Sequence, residues 1–428
     1  MDASRYPGSR RAGARVVVLG GGFGGLEAAF GVRALAGDRA GITLLSDQDH
    51  FLFKPNSIYV PFGLDPRRLA VPLARPARRR RIELLRARAR EIDPDRRLVH
   101  ADGRTVPYDF LVVATGAGMR ASEIPGLSEH AISTWTPADM LRLREAFAGL
   151  VESGRRGERR RVLFLVPPNN KCAGPLYEIA LMLDTWLRRK RVRPATEITW
   201  STYEDGYIQA FGPRLDEVVE AEFARRGIDG YRGHVAERVL DGAVRYSAGT
   251  ELAYDLLVAF PPYVAGTSFP GLEADERGFL VTEPESRRLA AHADIFAVGD
   301  ASDFPVKQAF LAFLQADAAA AHIAAEITSG KPATAFDPVS MCVMEQFDKA
   351  TFAQVPLRRT EDPARPVEVR PDAGGAYRVG SSVAWRAGKK LLGLSVPWRF
   401  RNGRPFHAGL FWRVMDVGLK GMAATLAR

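Results

Sequence analysis

A strand that runs straight into a glycine-rich turn narrows the possible folds of this chain more than any other feature. Arg15-Val16-Val17-Val18-Leu19 is a continuous β-branched and aliphatic run, the pattern of a parallel strand covered on both faces. It enters Gly20-Gly21-Gly22-Phe23-Gly24-Gly25, which holds G-x-G-x-x-G at Gly20, Gly22 and Gly25, and a helical stretch from Leu26 to Leu35 follows. In such a turn the first glycine permits the tight bend and the second lets backbone approach a pyrophosphate. The third lets helix and strand pack closely. The helix then points its unpaired N–H groups and positive dipole end at the phosphates. A second strand, Ile42 to Leu45, ends at Ser46-Asp47. Asp47 lies 22 residues past Gly25, the distance expected of a carboxylate on a ribose hydroxyl, with Ser46 as the alternative. The pattern specifies a dinucleotide site.

Composition removes other classes. Apolar content of 46% and charged content of 26% are those of an ordinary soluble globular chain, not a disordered, collagen-like or polytopic membrane protein. The 428 residues suggest two or three domains. No run of about 18 apolar residues is seen, so nothing is expected to span a bilayer by itself. Met1 to Arg15 is polar and basic without an apolar core, so it does not read as a secretory signal, and a cytoplasmic chain is the expectation. Two cysteines cannot form a disulfide framework. No metal centre is expected.

The net charge of +10 is unevenly spread. The segment from Trp385 to Arg428 carries +8, Arg75 to Arg90 carries +7, and the remainder is −5. Charge alone would allow a nucleic-acid partner, but no nucleic-acid-binding motif accompanies it, so none is expected.

Two later segments decide the cofactor. Tyr108 to Gly116 is a strand ending in Ala114-Thr115-Gly116, and Asp294 to Asp300 is another, nearly 180 residues on, ending in Gly299-Asp300. With the first fingerprint, this pair resembles the two-dinucleotide-binding-domain flavoproteins of glutathione-reductase-like architecture, over roughly residues 14 to 335. The resemblance implies FAD, with the Asp300 carboxylate on the ribityl chain. It also implies a helix, about Gln308 to Ile327, whose N-terminus faces the flavin pyrimidine and favours the anionic reduced form.

Between these segments a second βα unit has lost its glycines. Arg161 to Val166 is a strand and Leu176 to Leu187 an amphipathic helix, joined by Pro167-Pro168-Asn169-Asn170-Lys171-Cys172-Ala173-Gly174-Pro175. Backbone cannot come close to a pyrophosphate there, so nicotinamide binding is disfavoured. Cys172 stands where the phosphate would go. A helix N-terminus and Lys171 beside it are expected to lower its thiol pKa. The other cysteine, Cys342, lies in an apolar stretch, Ser340 to Phe347, that reads as a buried strand just past the last flavin helix.

The stretch P-P-N-N-K-C-A-G-P-L-Y-E-I-A-L-M-L from Pro167, together with Asp303-Phe304-Pro305-Val306-Lys307-Gln308, resembles the sulfide:quinone oxidoreductases. It also resembles their relative, the flavoprotein of flavocytochrome c sulfide dehydrogenase. The resemblance implies that Cys172 and Cys342 form a redox-active disulfide or polysulfide bridge on one face of the isoalloxazine. Hydrosulfide attacks that bridge, and two electrons pass through the flavin to quinone on its other face. It implies a proton-moving role for Glu178, although six helical steps place Glu178 about 240° around the wheel from Cys172. Lys307 is placed near the flavin carbonyl oxygen. Three departures are plain. Ile132 to Trp135 lacks the third cysteine of many members, Tyr207 to Gly212 lacks a histidine, and no cysteine near Asp49 to Lys54 could bond the flavin covalently. The FAD is therefore expected to be noncovalent.

The fold expectation is α/β: two Rossmann-like dinucleotide-binding domains plus a C-terminal amphipathic helical tail. Residues 14–120 and 255–335 would form the FAD-binding domain, 121–254 the second Rossmann-like domain, and 336–428 the C-terminal region. In that region Pro356 to Gly375 reads as irregular, Ala376 to Ala384 as a short strand, and Gly409 to Ala427 as a helix. Aromatics Trp385, Trp398 and Trp412, interleaved with Lys and Arg, suit a helix lying at an anionic membrane surface. A peripheral, monotopic protein on the cytoplasmic side follows, with a homo-oligomer or dimer contact as the competing use of that helix. Three rival functions remain. They are a type II NADH:quinone oxidoreductase, a sulfide dehydrogenase flavoprotein donating to a cytochrome, and a non-catalytic flavin-binding redox sensor.

Overall fold

The computed structural model describes residues 13–427. Most of the basic N-terminal segment and Arg428 lie outside the described residues. The first sheet has the order Arg288–Leu289, His292–Ala297, Phe110–Val113, Ala14–Leu19, Ala40–Ser46, Glu83–Arg86, parallel except at the first pair. Val16, Val17 and Val18 are fully buried because both faces are covered. On one face lie the helices Phe23–Ala36 and Ala309–Thr328, which touch so closely that a side chain at Gly31 would meet Ala320 at 3.0 Å. On the other lies a small antiparallel sheet carrying Ile92, Val99 and Ala101.

The second sheet is parallel, in the order Ala131–Ser133, Leu256–Ala259, Arg160–Val166, Thr196–Thr202, Ile228–Tyr231. Leu256–Ala259 therefore belongs to the second sheet, not to the FAD-binding half that was expected to resume at residue 255. The helix Gly174–Arg189 packs on this sheet, with Tyr177 against Trp200.

The C-terminal region is more ordered than its prolines suggest. Val339–Glu345 pairs with Ala350–Arg359, which pairs in turn with Val367–Val369 and Arg378–Ser382. Two helices follow. Gly409–Leu426 matches expectation, whereas Val383–Arg401 was not foreseen. The latter is anchored by Trp385, fully buried and stacked on Phe352 at 3.9 Å, so this tryptophan is a core residue and not a membrane-facing one. Among the described residues one helix, Ala309–Thr328, is by length and composition apolar and long enough to cross a membrane, although Gln315, Asp317, His322 and Glu326 interrupt its apolar run. It is mostly buried against Phe23–Ala36 and serves as a core helix.

Candidate active site

A single cavity of about 950 Å³ runs between the two sheets and under the C-terminal helices. Of the residues singled out in the sequence, Gly20, Gly22, Ser46, Asp47, Thr115, Gly116, Gly299, Asp300, Lys307, Cys172, Cys342 and Glu178 all line it. Gly25 does not. Its role is packing, since a Cβ there would sit 1.9 Å from the Gly20 carbonyl oxygen.

The first turn fits the pyrophosphate of FAD. Gly20 has φ +108, and a Cβ there would lie 2.3 Å from the Ala114 carbonyl oxygen. A Cβ at Gly22 would meet nothing within 4 Å, so at that point backbone faces open cavity. The Ser46 hydroxyl is engaged with Gln48, donating to its carbonyl at 3.0 Å and accepting from its N–H. Asp47 is half-exposed, with Arg88 at 3.5 Å. Gly299 turns at φ +65, and Asp300 follows it into the cavity, where burial pushes its carboxyl above the usual range while Lys307 and Lys54 pull it back. A carboxylate with no hydrogen-bonding protein partner among the described residues is what a ribityl hydroxyl would satisfy. Gln308 caps the helix Ala309–Thr328 with no side-chain bond, leaving the helix N-terminus turned to the same space.

Lys307 is not a free cation. Its ammonium donates to the Ser302 carbonyl and lies 3.6 Å from the centre of the Phe279 ring, and burial lowers its pKa to about 7. A second lysine, missed in the sequence, has the more open setting. Lys54 sits 3.1 Å from the Trp135 ring centre, lines the cavity, and is pushed by burial to about 8. Its only signal was position: a lysine inside the aromatic run Phe51-Leu52-Phe53-Lys54.

At the second turn Asn169 takes φ +63, and Asn170 is buried. The Asn170 amide donates to the Phe260 carbonyl at 2.9 Å, and its oxygen accepts from the Cys172 N–H at 2.9 Å. Side chains thus occupy the place where a glycine turn would expose backbone to a phosphate. Both cysteines are free thiols facing the cavity. They are near enough that charge on Cys342 disfavours charge on Cys172. The expected low thiol pKa is overturned. Burial pushes Cys172 well above the ordinary range, with only the Gly174 N–H opposing, and pushes Cys342 up to about 12. Lys171 interacts with Arg277, Asp275, Glu276 and Lys307, and burial is the largest influence on Cys172.

Glu178 meets the other cysteine. It is buried, accepts from the Glu345 N–H at 2.7 Å, pairs with Lys389, and raises the Cys342 pKa. Burial raises its own pKa and Lys389 partly offsets this. Lys389 also donates to the Val343 carbonyl at 2.7 Å, and fully buried Glu345 accepts from Arg386 and from the Tyr59 hydroxyl, each at 2.8 Å. The basic tail is thus not a simple charged surface, since Arg386, Lys389 and Arg399 turn inward. Its apolar residues turn outward instead. Leu394, Leu410 and Val417 are 72%, 75% and 70% exposed, and Trp398 and Phe411, with ring centres 5.9 Å apart, join the two helices into one face.

The chain is similar to several known proteins. The pyridine nucleotide-disulphide oxidoreductase family matches residues 14–153. The sulfide-quinone reductase of Aquifex aeolicus is 28% identical over 304 residues, 68% of this chain and 69% of that one. The external alternative NAD(P)H-ubiquinone oxidoreductase B3 of Arabidopsis thaliana mitochondria is 27% identical over 251 residues, 53% of this chain and 43% of that one. The crystal structure of the sulfide:quinone oxidoreductase of Aquifex aeolicus superposes with a TM-score of 0.81 at 23% identity, covering 95% of this chain and 96% of that one. Fold and cavity together define an FAD-dependent oxidoreductase built on two dinucleotide-binding domains. Within that class, the chain resembles the sulfide:quinone oxidoreductases.

Proposed function

We propose that the protein oxidises sulfide at a Cys172–Cys342 pair and passes the electrons through noncovalent FAD to a membrane quinone. The observation that carries this reading is the second turn. The place where a nicotinamide pyrophosphate would rest holds Cys172, and Cys342 faces the same cavity. Bound FAD supplies a two-electron acceptor and donor. Gly20, Gly22 and the helix behind them hold its pyrophosphate, Asp47 its ribose, Thr115 and Gly116 the adjoining wall, and Asp300 its ribityl chain. Lys54 places positive charge near it, and Lys307 adds to that charge when protonated.

The protein's own groups then handle sulfur and protons. Hydrosulfide attacks the cysteine disulfide, leaving a persulfide on Cys172 and releasing the sulfur of Cys342. Burial disfavours the Cys342 thiolate and so favours its handing an electron pair on to bound FAD, and the Glu178 carboxylate, paired with Lys389 beside it, would take up or return the proton. The far end of the cavity is apolar, lined by Phe310, Val396, Phe406, Trp412 and Leu419, and suits a quinone ring. Val396, Trp412 and Leu419 belong to the two C-terminal helices, which thus form part of the wall there. The apolar face, with exposed Lys390, Arg401, Arg404 and Arg413 nearby, suits peripheral association with an anionic membrane surface.

Anaerobic stopped-flow tests the reading. Sulfide should bleach the flavin band of the purified holoprotein, and a short-chain quinone should restore it. Bleaching by NADH but not by sulfide would instead establish the NAD(P)H:quinone reading that the Arabidopsis relative represents.

A further inference from the structure

The second dinucleotide-type unit has kept one element of a nucleotide site. In a complete unit, a carboxylate at the end of the second strand holds a ribose. That strand is Thr196–Thr202, and Glu204 follows it by two residues. The strands Arg160–Val166 and Thr196–Thr202 are parallel neighbours with Val166 opposite Thr202, so the Cys172 turn and the Glu204 loop leave the sheet side by side. The Tyr203 hydroxyl donates to the Asn170 carbonyl at 3.4 Å, and Asn170 in turn accepts from the Cys172 N–H. Glu204 and Cys172 line the same cavity. With the glycine turn gone, the carboxylate has no nucleotide to hold.

The loop around Glu204 is nonetheless built to present it. The Gln209 N–H donates to one oxygen at 3.1 Å, and the Thr202 hydroxyl to the other at 3.2 Å. To turn Gln209 inward, Ile208 adopts φ 52 and ψ 53. A β-branched residue there costs about 1–3 kcal/mol, and strain of this kind gathers at functional sites. The titratable groups facing Glu204 are Tyr177 on the helix Gly174–Arg189, Asp216 on the helix Pro213–Arg226, and Tyr203 beside it. Arg365, on the opposite loop, is engaged with Asp205 at 3.1 Å. A buried carboxyl with acidic neighbours and no basic partner among the described residues keeps its proton into the neutral range, and burial brings Glu204 to about 7.

We infer that Glu204 is the general base that takes a proton from hydrogen sulfide as its sulfur attacks Cys172. The step rests on the sulfide reading above. One S–S bond forms between substrate sulfur and Cys172, and the Cys172–Cys342 bond breaks. One substrate hydrogen stays on the persulfide and the other moves to Glu204, while the electron pair of the broken bond leaves on Cys342. Charge is conserved, with one carboxylate replaced by one thiolate.

The test mixes FAD-loaded protein anaerobically with sulfide at pH 6 to 9. It follows flavin bleaching and, in quenched and alkylated samples, the Cys172 persulfide by mass spectrometry. Glu204→Gln keeps an oxygen for the Gln209 N–H and should bind FAD normally. Its persulfide formation should fall about 100-fold near pH 6–7, the usual scale of a lost general base, and approach wild type at pH 9, where sulfide is already ionised. Glu204→Asp should keep the wild-type pH profile at a reduced rate. Loss that is uniform at every pH, or no loss near pH 6–7, would overturn the role of Glu204 while leaving sulfide as substrate. Wild-type protein that forms no persulfide at any pH would sink the sulfide reading itself.

Discussion

Replacing Lys389 with methionine removes one ammonium and keeps most of the stem's bulk. Glu178 then retains the Glu345 N–H at 2.7 Å but loses its counter-ion in a buried setting. Stripping one member from a buried pair costs about 3–5 kcal/mol. The carboxylate can escape by taking up a proton. Protonating a carboxyl whose ordinary value is about 4.3 costs roughly 1.36 kcal/mol for each pH unit above that value, so at pH 7 the escape costs nearly as much, roughly 3.7 kcal/mol. At pH 5 the same escape costs only about 1 kcal/mol. The sign follows from the direction of the shift. In the variant the folded-state value of Glu178 is raised further above its unfolded value, because the Lys389 charge that offsets burial is gone. Stability is intact below the unfolded value and is lost as pH rises toward the folded one. Thermal unfolding of both proteins at pH 5 and pH 7.5 should therefore show a gap of a few degrees that widens at the higher pH. Adding Glu178→Gln to Lys389→Met should narrow it again. A gap independent of pH, or none, would refute the claim that this pair holds the penultimate helix to the cysteine strand.

Cys172→Ser and Cys342→Ser should each leave FAD bound while slowing its reduction by sulfide at least about 100-fold, since the covalent route is removed. Absorbance and stopped-flow check both halves of that statement. Gly25→Ala places a methyl 1.9 Å from the Gly20 carbonyl oxygen and should lower the FAD-to-protein ratio on purification. Leu394→Glu with Val417→Glu should cut co-sedimentation with anionic vesicles at least about tenfold. Each exposed side chain would otherwise bury apolar area worth about 1–2 kcal/mol.

The sequence made the first nucleotide turn and the Gly299-Asp300 strand end legible because each is local: a strand, a turn and a helix start within a few residues. The helix Ala309–Thr328 followed from the same logic. Leu256–Ala259 did not, since a short buried strand looks the same whichever sheet receives it. The helix Val383–Arg401 was hidden for a different reason. It buries Lys389 and Arg399, turns Arg386 inward to Glu345, and exposes Leu391, Leu394 and Trp398, against the pattern by which a surface helix is read. The thiol prediction failed because a helix terminus and a neighbouring lysine are visible in sequence while burial is not. Glu178 looked misplaced only when measured from Cys172. Its partner is Cys342, 164 residues away.

That inverted helix has a consequence for handling the protein. An ordinary amphipathic helix released from a bilayer can roll and tuck its apolar side against the body. This one cannot, because rolling would pull Lys389 and Arg386 off Glu178 and Glu345 into an apolar setting. These two ion pairs hold its outer side outward. In buffer without an amphiphile, the least costly cover for that side is the same side of a second molecule. The stoichiometry measured in solution should then follow the detergent more than the protein.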